Sequence, residues 1–165
     1  MTKHRYLVAL GSNRRHPRHG RPEAVLAAAL GALDRKPCKL LAASRTMASA
    51  PLGPSLRRYG NAAAILKTRL DPPALLAHLH GIEHRFGRRR RGQPWSARVL
   101  DLDIVLWSGG AWSSPGLTVP HPAFRTRDFV LRPAAAIAGQ WRDPLTGRTL
   151  RQLHARLTRP AATPN

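Results

Sequence analysis

The segment Arg98–Trp107 reads Arg-Val-Leu-Asp-Leu-Asp-Ile-Val-Leu-Trp, and it constrains the chain more than any other stretch. Its alternation is that of a strand, in which residues two apart share a face. Leu100, Leu102, Ile104 and Leu106 then turn to a core, and Asp101 and Asp103 project together from the opposite face. Such a strand needs a sheet to pair with and helices to cover its apolar side.

The remaining segments supply both. Tyr6–Leu10 reads as a buried strand closed by Gly11-Ser12-Asn13, and a polar loop follows through Arg21. Pro22 opens a helix with Glu23 in its first turn and Val25, Leu26, Leu30 and Leu33 on its apolar face. Lys39–Met47 reads as a second strand, Ala50–Pro54 as loop, and Asn61–Leu70 as a third strand. Asp71-Pro72-Pro73 is an N-cap followed by proline at the first helical positions. Leu75, Leu79, Ile82 and Phe86 then form one helical face, and Gly87 suits the position after the helix. Arg88–Ala97 reads as a basic loop before the Arg98–Trp107 strand. Ser108–Gly116 reads as a turn, followed by Leu117-Thr118-Val119 and Pro120-His121-Pro122. Thr126 is expected to cap a helix to about Leu131, and Thr149 a last helix over Leu150–Leu157. The order strand, helix, strand, strand, helix, strand is that of a ferredoxin-like α+β sheet with helices on one face. A single domain is expected over residues 1–158, with a disordered tail over 159–165.

Composition narrows the function classes. The 165 residues are 42% hydrophobic, which supports a real core. The longest apolar run, Ala24–Leu30, falls far short of a membrane span of roughly 18 residues, and Met1–Leu10 is too short in apolar length for a signal peptide. Cys38 stands alone, which excludes an internal disulfide or a cysteine-built zinc site. A cytoplasmic protein is expected. Lys plus Arg is 28 against 8 Asp plus Glu, a formal net charge of +20. That field attracts nucleotides, nucleic acid and phosphorylated substrates. Arginine outnumbers lysine 24 to 4, a bias that GC-rich codons alone would also produce.

Among so few acids, the Asp101/Asp103 pair is conspicuous. Their roots lie about 7 Å apart by strand rise, close enough to converge on a pair of divalent cations. The plainer reading is a solvated strand face paired with local arginines. Upstream lies Arg88-Arg89-Arg90-Arg91, whose guanidiniums repel one another and suit phosphate oxygens. Trp95 beside it suits either stacking on a flat ring or packing. His121 sits between two prolines on a stiff loop, where it is either structural or functional. Arg125 and Arg127 suggest a further phosphate contact. Tyr59 and Phe129 are candidate stacking faces, and Asn61 can read a heterocycle edge.

Taken together, these motifs form a recognisable string. It comprises Leu7–Asn13, Pro51-Leu52-Gly53, Tyr59–Ala62, Glu83, Gly87–Arg90, Trp95–Asp103, Val119–Pro122 and Arg127–Pro133. In this order and spacing the chain resembles the hydroxymethyl-dihydropterin pyrophosphokinases of folate synthesis, over roughly residues 6 to 155. The resemblance implies a three-layer αβα fold. It also implies an ATP-dependent transfer of pyrophosphate to the hydroxymethyl group of the dihydropterin, with release of AMP. It implies two Mg²⁺ ions held by Asp101 and Asp103, with Arg88 and Arg98 joining them in catalysis. Glu83, Arg90, Trp95, Arg98, Ile104, Thr118, His121 and Arg127 would line the ATP site. Pro51, Leu52, Gly53, Tyr59, Asn61, Trp95 and Phe129 would line the pterin site. The working unit would be a monomer that binds no specific nucleic acid and no membrane.

The basic charge motivates a rival reading, a nucleic-acid module on a ferredoxin-like sheet. Such sheets stack bases on aromatics along their central strands. Leu7–Leu10 and Ala62–Leu66 carry none. A catalytically inactive, ATP-binding relative is the third reading.

Overall fold

The computed structural model describes residues 2–12, 19–49, 59–87 and 99–160. Seven strands and four α-helices follow one another among these residues: β1 (His4–Ser12), α1 (Pro22–Leu33), β2 (Cys38–Ala43), β3 (Met47–Ser49), β4 (Tyr59–Thr68), α2 (Pro72–Arg85), β5 (Asp101–Trp107), β6 (Trp112–Ser114), β7 (Leu117–Val119), α3 (Asp128–Ala138) and α4 (Leu150–Thr158). The main sheet is antiparallel in the order β2-β4-β1-β5, with β3 also on β4, while β6 and β7 form a separate ribbon.

Alternation along the central strands sorts the core into two layers. Tyr6, Val8 and Leu10 pack with α1 and α2 on one face. Leu7 packs with Ala63, Ile65, Phe124 and the apolar side of α3 and α4 on the other. Helices therefore cover both faces, not one as the element order alone suggested. The three layers are those the resemblance implied. No helix among the described residues is long and apolar enough to cross a membrane.

Local chemistry explains the helix ends. Asp71 accepts the Ala74 N–H at 3.0 Å and caps α2. Leu75, Leu79, Ile82 and Phe86 are all buried, and Gly87 follows at φ +99°, a left-handed conformation that side chains rarely adopt. On α1 the buried positions are Val25, Leu26, Ala29 and Leu33; Leu30 is only partly covered. Thr149 and Gln152 form a reciprocal capping box at α4.

Four expectations are corrected. Lys39–Met47 is not one strand: a register shift falls between Leu40 and Ala42, and Ser44 leaves the ladder to donate to Ala63 O. The turn Ser108–Gly116 contains β6. Thr126 does not cap a helix; its hydroxyl donates to Ala123 O within a 3₁₀ turn, Phe124–Thr126. Helix α3 begins instead after Arg127 and runs through Pro133 to Ala138. Finally, β5 pairs Leu7 with Leu106 but Val8 with Ile104, so Val105 is an extra residue. That bulge turns Leu106 to the α3 face, away from Leu102 and Ile104.

Arg125 is also reassigned. Its Nε and Nη2 donate to the two carboxylate oxygens of Asp143 at 2.6 and 2.8 Å, and Asp143 is fully buried. The pair ties the 3₁₀ turn to the loop after α3, so Arg125 is structural. Burial alone would raise the Asp143 carboxyl. The Arg125 guanidinium, the Leu145 N–H and the Thr146 hydroxyl outweigh it and hold the group at about 2. Because this lies below its ordinary value of 3.8, the pair's contribution is complete above about pH 4 and is lost as pH falls toward about 2. Asp143→Ala should cost about 2–4 kcal/mol in urea unfolding at pH 7. It should also flatten the stability decline between pH 4 and 2. An unchanged acid limb would mean that the pair does not support the fold.

Candidate active site

The register of β1 with its two neighbours assembles the site. Gly11 pairs with Asn61 on β4 and with Asp101 on β5. One rung along, Ala9 pairs with Ala63 and with Asp103. Directly paired residues share a face, so Asn61, Asp101 and Asp103 all stand on the α3 side of the sheet. Asn61 and Asp101 are separated by two interstrand spacings, about 10 Å. Gly11, Ala9 and Ala63 between them form a floor of minimal side chains. A Cβ on Gly11 would sit 3.6 Å from Asn61 Oδ1, an ordinary contact on that floor.

The outer edge of β5 has no further strand among the described residues, and two groups satisfy it. Glu83, on the buried side of α2 and 2% exposed, accepts the Leu102 N–H at Oε2 over 3.1 Å. Leu102 lies between the two aspartates, so Glu83 fixes the backbone that carries them. His121 donates its backbone N–H to Val105 O at 3.1 Å, at the bulge. The rigid Pro120-His121-Pro122 loop is thereby docked beside Asp103.

The His121 ring is shifted toward its neutral form. Burial lowers its pKa, Asp103 acts to raise it, and Arg127 to lower it. Its Nδ1 accepts the Ala123 N–H at 3.2 Å, which leaves the ring proton on Nε2. A ring donor thus stands near an aspartate and an arginine. Arg127 is the residue before α3, and its guanidinium lies 5.7 Å from the Phe129 ring. Phe129 packs partly on the α3-side core, and Tyr59 lies two residues from Asn61 on the same face of β4.

The structure thus brings Asn61, Asp101, Asp103, His121 and Arg127 to one end of the sheet. It does not bring the Ile104 side chain there: Ile104 is 3% exposed in the α1/α2 layer. Thr118 is exposed on β7, which packs beside β5. Pro51, Leu52, Gly53, Arg88, Arg90, Trp95 and Arg98 lie outside the described residues, as do the Ala50–Pro54 loop and the basic loop. Gly11 was missed as a floor residue. Its signal was only its place ending a buried strand.

Two carboxylates on adjacent positions of one strand face, beside an arginine and an imidazole, are a donor set suited to divalent cations and phosphate oxygens. Among the described residues no group of three or more His, Cys, Asp or Glu gathers to hold a metal. Asp101 and Asp103 offer hard oxygen ligands, which suit Mg²⁺ completed by phosphate and water.

The family described as 7,8-dihydro-6-hydroxymethylpterin-pyrophosphokinase (HPPK) matches residues 7–139. The chain belongs to this family. It is 42% identical over 153 residues to the 2-amino-4-hydroxy-6-hydroxymethyldihydropteridine pyrophosphokinase of Pseudomonas aeruginosa, covering 92% of this chain and 90% of that one. It is also 42% identical over 105 residues to the Synechocystis protein of the same name, covering 64% of this chain and 53% of the relative. The crystal structure of Plasmodium falciparum HPPK-DHPS A437G superposes with a TM-score of 0.71 at 14% identity, over 94% of this chain and 45% of that chain. That likeness establishes the fold.

Gly11→Val should leave the strand intact, since valine favours strands and a Cβ there meets only an ordinary contact at 3.6 Å. It should raise KM for substrate on the floor at least about tenfold, equivalent to about 1.4 kcal/mol. Unchanged kinetics in a folded variant would remove the floor from the site.

Proposed function

We propose that this chain transfers the β,γ-pyrophosphoryl group of ATP to the hydroxymethyl group of 6-hydroxymethyl-7,8-dihydropterin, releasing AMP, in folate synthesis. The observation that carries this reading is the Asn61–Gly11–Asp101 row with Asp103 one rung on. It sets a heterocycle-reading amide and two metal-binding carboxylates about 10 Å apart on one floor.

The roles follow from the chemistry of the side chains. Tyr59 and Phe129 stack on the two faces of the pterin, and Asn61 hydrogen-bonds its edge. Asp101 and Asp103 hold two Mg²⁺ ions. Such ions, when bound, offset phosphate charge and lower the pKa of the attacking hydroxyl. Arg127, with Arg90 and Arg98 from the basic segment, holds the triphosphate and offsets charge moving onto AMP. Trp95 contributes to both substrate sites. Glu83, Thr118 and His121 border the nucleotide, with His121 donating from Nε2. Arg88 closes the site, and Pro51, Leu52 and Gly53 complete the pterin pocket. The pterin hydroxyl attacks the β-phosphorus, and the bond from that phosphorus to the oxygen it shares with the α-phosphorus breaks. The protein works as a cytoplasmic monomer, with ATP and the pterin as its partners.

AMP release should depend on Mg²⁺ and on both carboxylates. Asp101→Ala and Asp103→Ala should each cut turnover at least about 10²-fold, with an unchanged circular dichroism spectrum. Asn variants should lose less, because an amide oxygen still ligates Mg²⁺. Near-normal turnover at low Mg²⁺ in folded Ala variants would exclude the metal pair.

A further inference from the structure

At the far end of the same sheet face, three cations stand in one row. Arg5 pairs with Lys67, and Lys67 pairs with Lys39. Directly opposed side chains have Cβ atoms about 5 Å apart, and like charges in that position repel. No carboxylate forms an ion pair with any of the three among the described residues; the pairs there join Arg125 to Asp143 and Arg132 and His154 to Asp128. The row lies one alternation beyond buried Leu7 and Ile65.

Next to Arg5 opens a cleft of about 400 Å³, lined by Arg5, Trp107, Trp141 and Arg142 among others. Its size is that of a small-molecule site. Trp107 borders it at the end of β5, with its indole turned to the α1/α2 layer, 5.8 Å from the Trp112 ring centre. Arg142 donates from Nη1 to Gly147 O at 2.7 Å, which fixes its head without neutralising it. The Trp141 indole and two guanidiniums beside one cleft suit a flat ring next to negative charge. The Arg5–Lys67–Lys39 row extends that charge over about 10 Å, two interstrand spacings. A run of linked phosphates fits that length.

We propose that this end of the sheet is a second ligand site, for a polyanion of nucleotide size that carries a flat ring. The ring lies against Trp141 in the cleft, and its phosphates lie along Arg5, Lys67 and Lys39. The site is separate from the carboxylate pair: Lys67 lies six residues along β4 from Asn61, about 20 Å.

The probe is α,β-methylene-ATP, which cannot be cleaved at the bond used in turnover, titrated by calorimetry in Mg²⁺ into the full chain. The native protein should take up two equivalents. Lys67→Glu should take up one and keep native turnover. It should also unfold at higher urea concentration than the native chain, because it replaces two repulsions with two attractions. One equivalent in the native chain would overturn the site. Two equivalents in a folded Lys67→Glu variant would overturn its placement. Inorganic tripolyphosphate should bind the second site at least tenfold more weakly than the analogue. Equal affinity would overturn the role of the ring. Tighter binding there of a short oligothymidylate than of the analogue would overturn the small-ligand reading in favour of single-stranded nucleic acid.

Discussion

Strand β1 lies antiparallel between β4 and β5, in unbroken register with β4 and with β5 from Val8 to Gly11, and the position of Gly11 in that register determines the rest of the site. The period of a strand is two, so a slip by one residue would send Asn61 or Asp101 to the opposite face. The buried alternation of Tyr6, Val8 and Leu10 against Leu7 prevents that slip, because each set belongs to a different core layer. Hydrophobic burial on both faces is therefore what aligns a polar amide with two carboxylates. The same register places Arg5 and Lys67 opposite each other at the other end. One device thus produces a carboxylate end and a cationic end of a single face.

The edge strand β5 carries the charges, and edge strands are where backbone groups lack partners. Here Glu83 and the His121 loop take up two of those groups, at Leu102 N and Val105 O. Both partners come from elements whose own places are fixed by burial: α2 through Leu75, Leu79 and Ile82, and the loop through Phe124. The carboxylates remain partly exposed while the backbone beneath them is held. That combination suits ligands that must bind and release charged substrate.

Much of this was legible in the residues. The D-L-D alternation assigned Asp101 and Asp103 to one face, and the Asp71-Pro72-Pro73 cap placed α2 to the residue. What the sequence did not disclose were events that depend on a partner strand. The Val105 bulge reversed Leu106 because β1 offers one residue where β5 has two. Lys39–Met47 broke into two strands because the Ser44 hydroxyl accepts the Ala63 N–H in place of a ladder bond. Arg125 reads like a phosphate ligand beside Arg127, yet buried Asp143, 18 residues later, takes both its donors. The second helical layer was hidden for the same reason: local periodicity shows that a helix has an apolar side, not which sheet face receives it.

The central claim is that this floor directs attack at the β-phosphorus of ATP. Phosphorus NMR of the complete reaction, with Mg²⁺ and 6-hydroxymethyl-7,8-dihydropterin, follows each phosphorus separately. The account predicts that the α-phosphorus appears in AMP while the β- and γ-phosphorus signals appear together, still coupled, on the pterin product. Signals of ADP with a singly phosphorylated pterin would place the attack at the γ-phosphorus and contradict it.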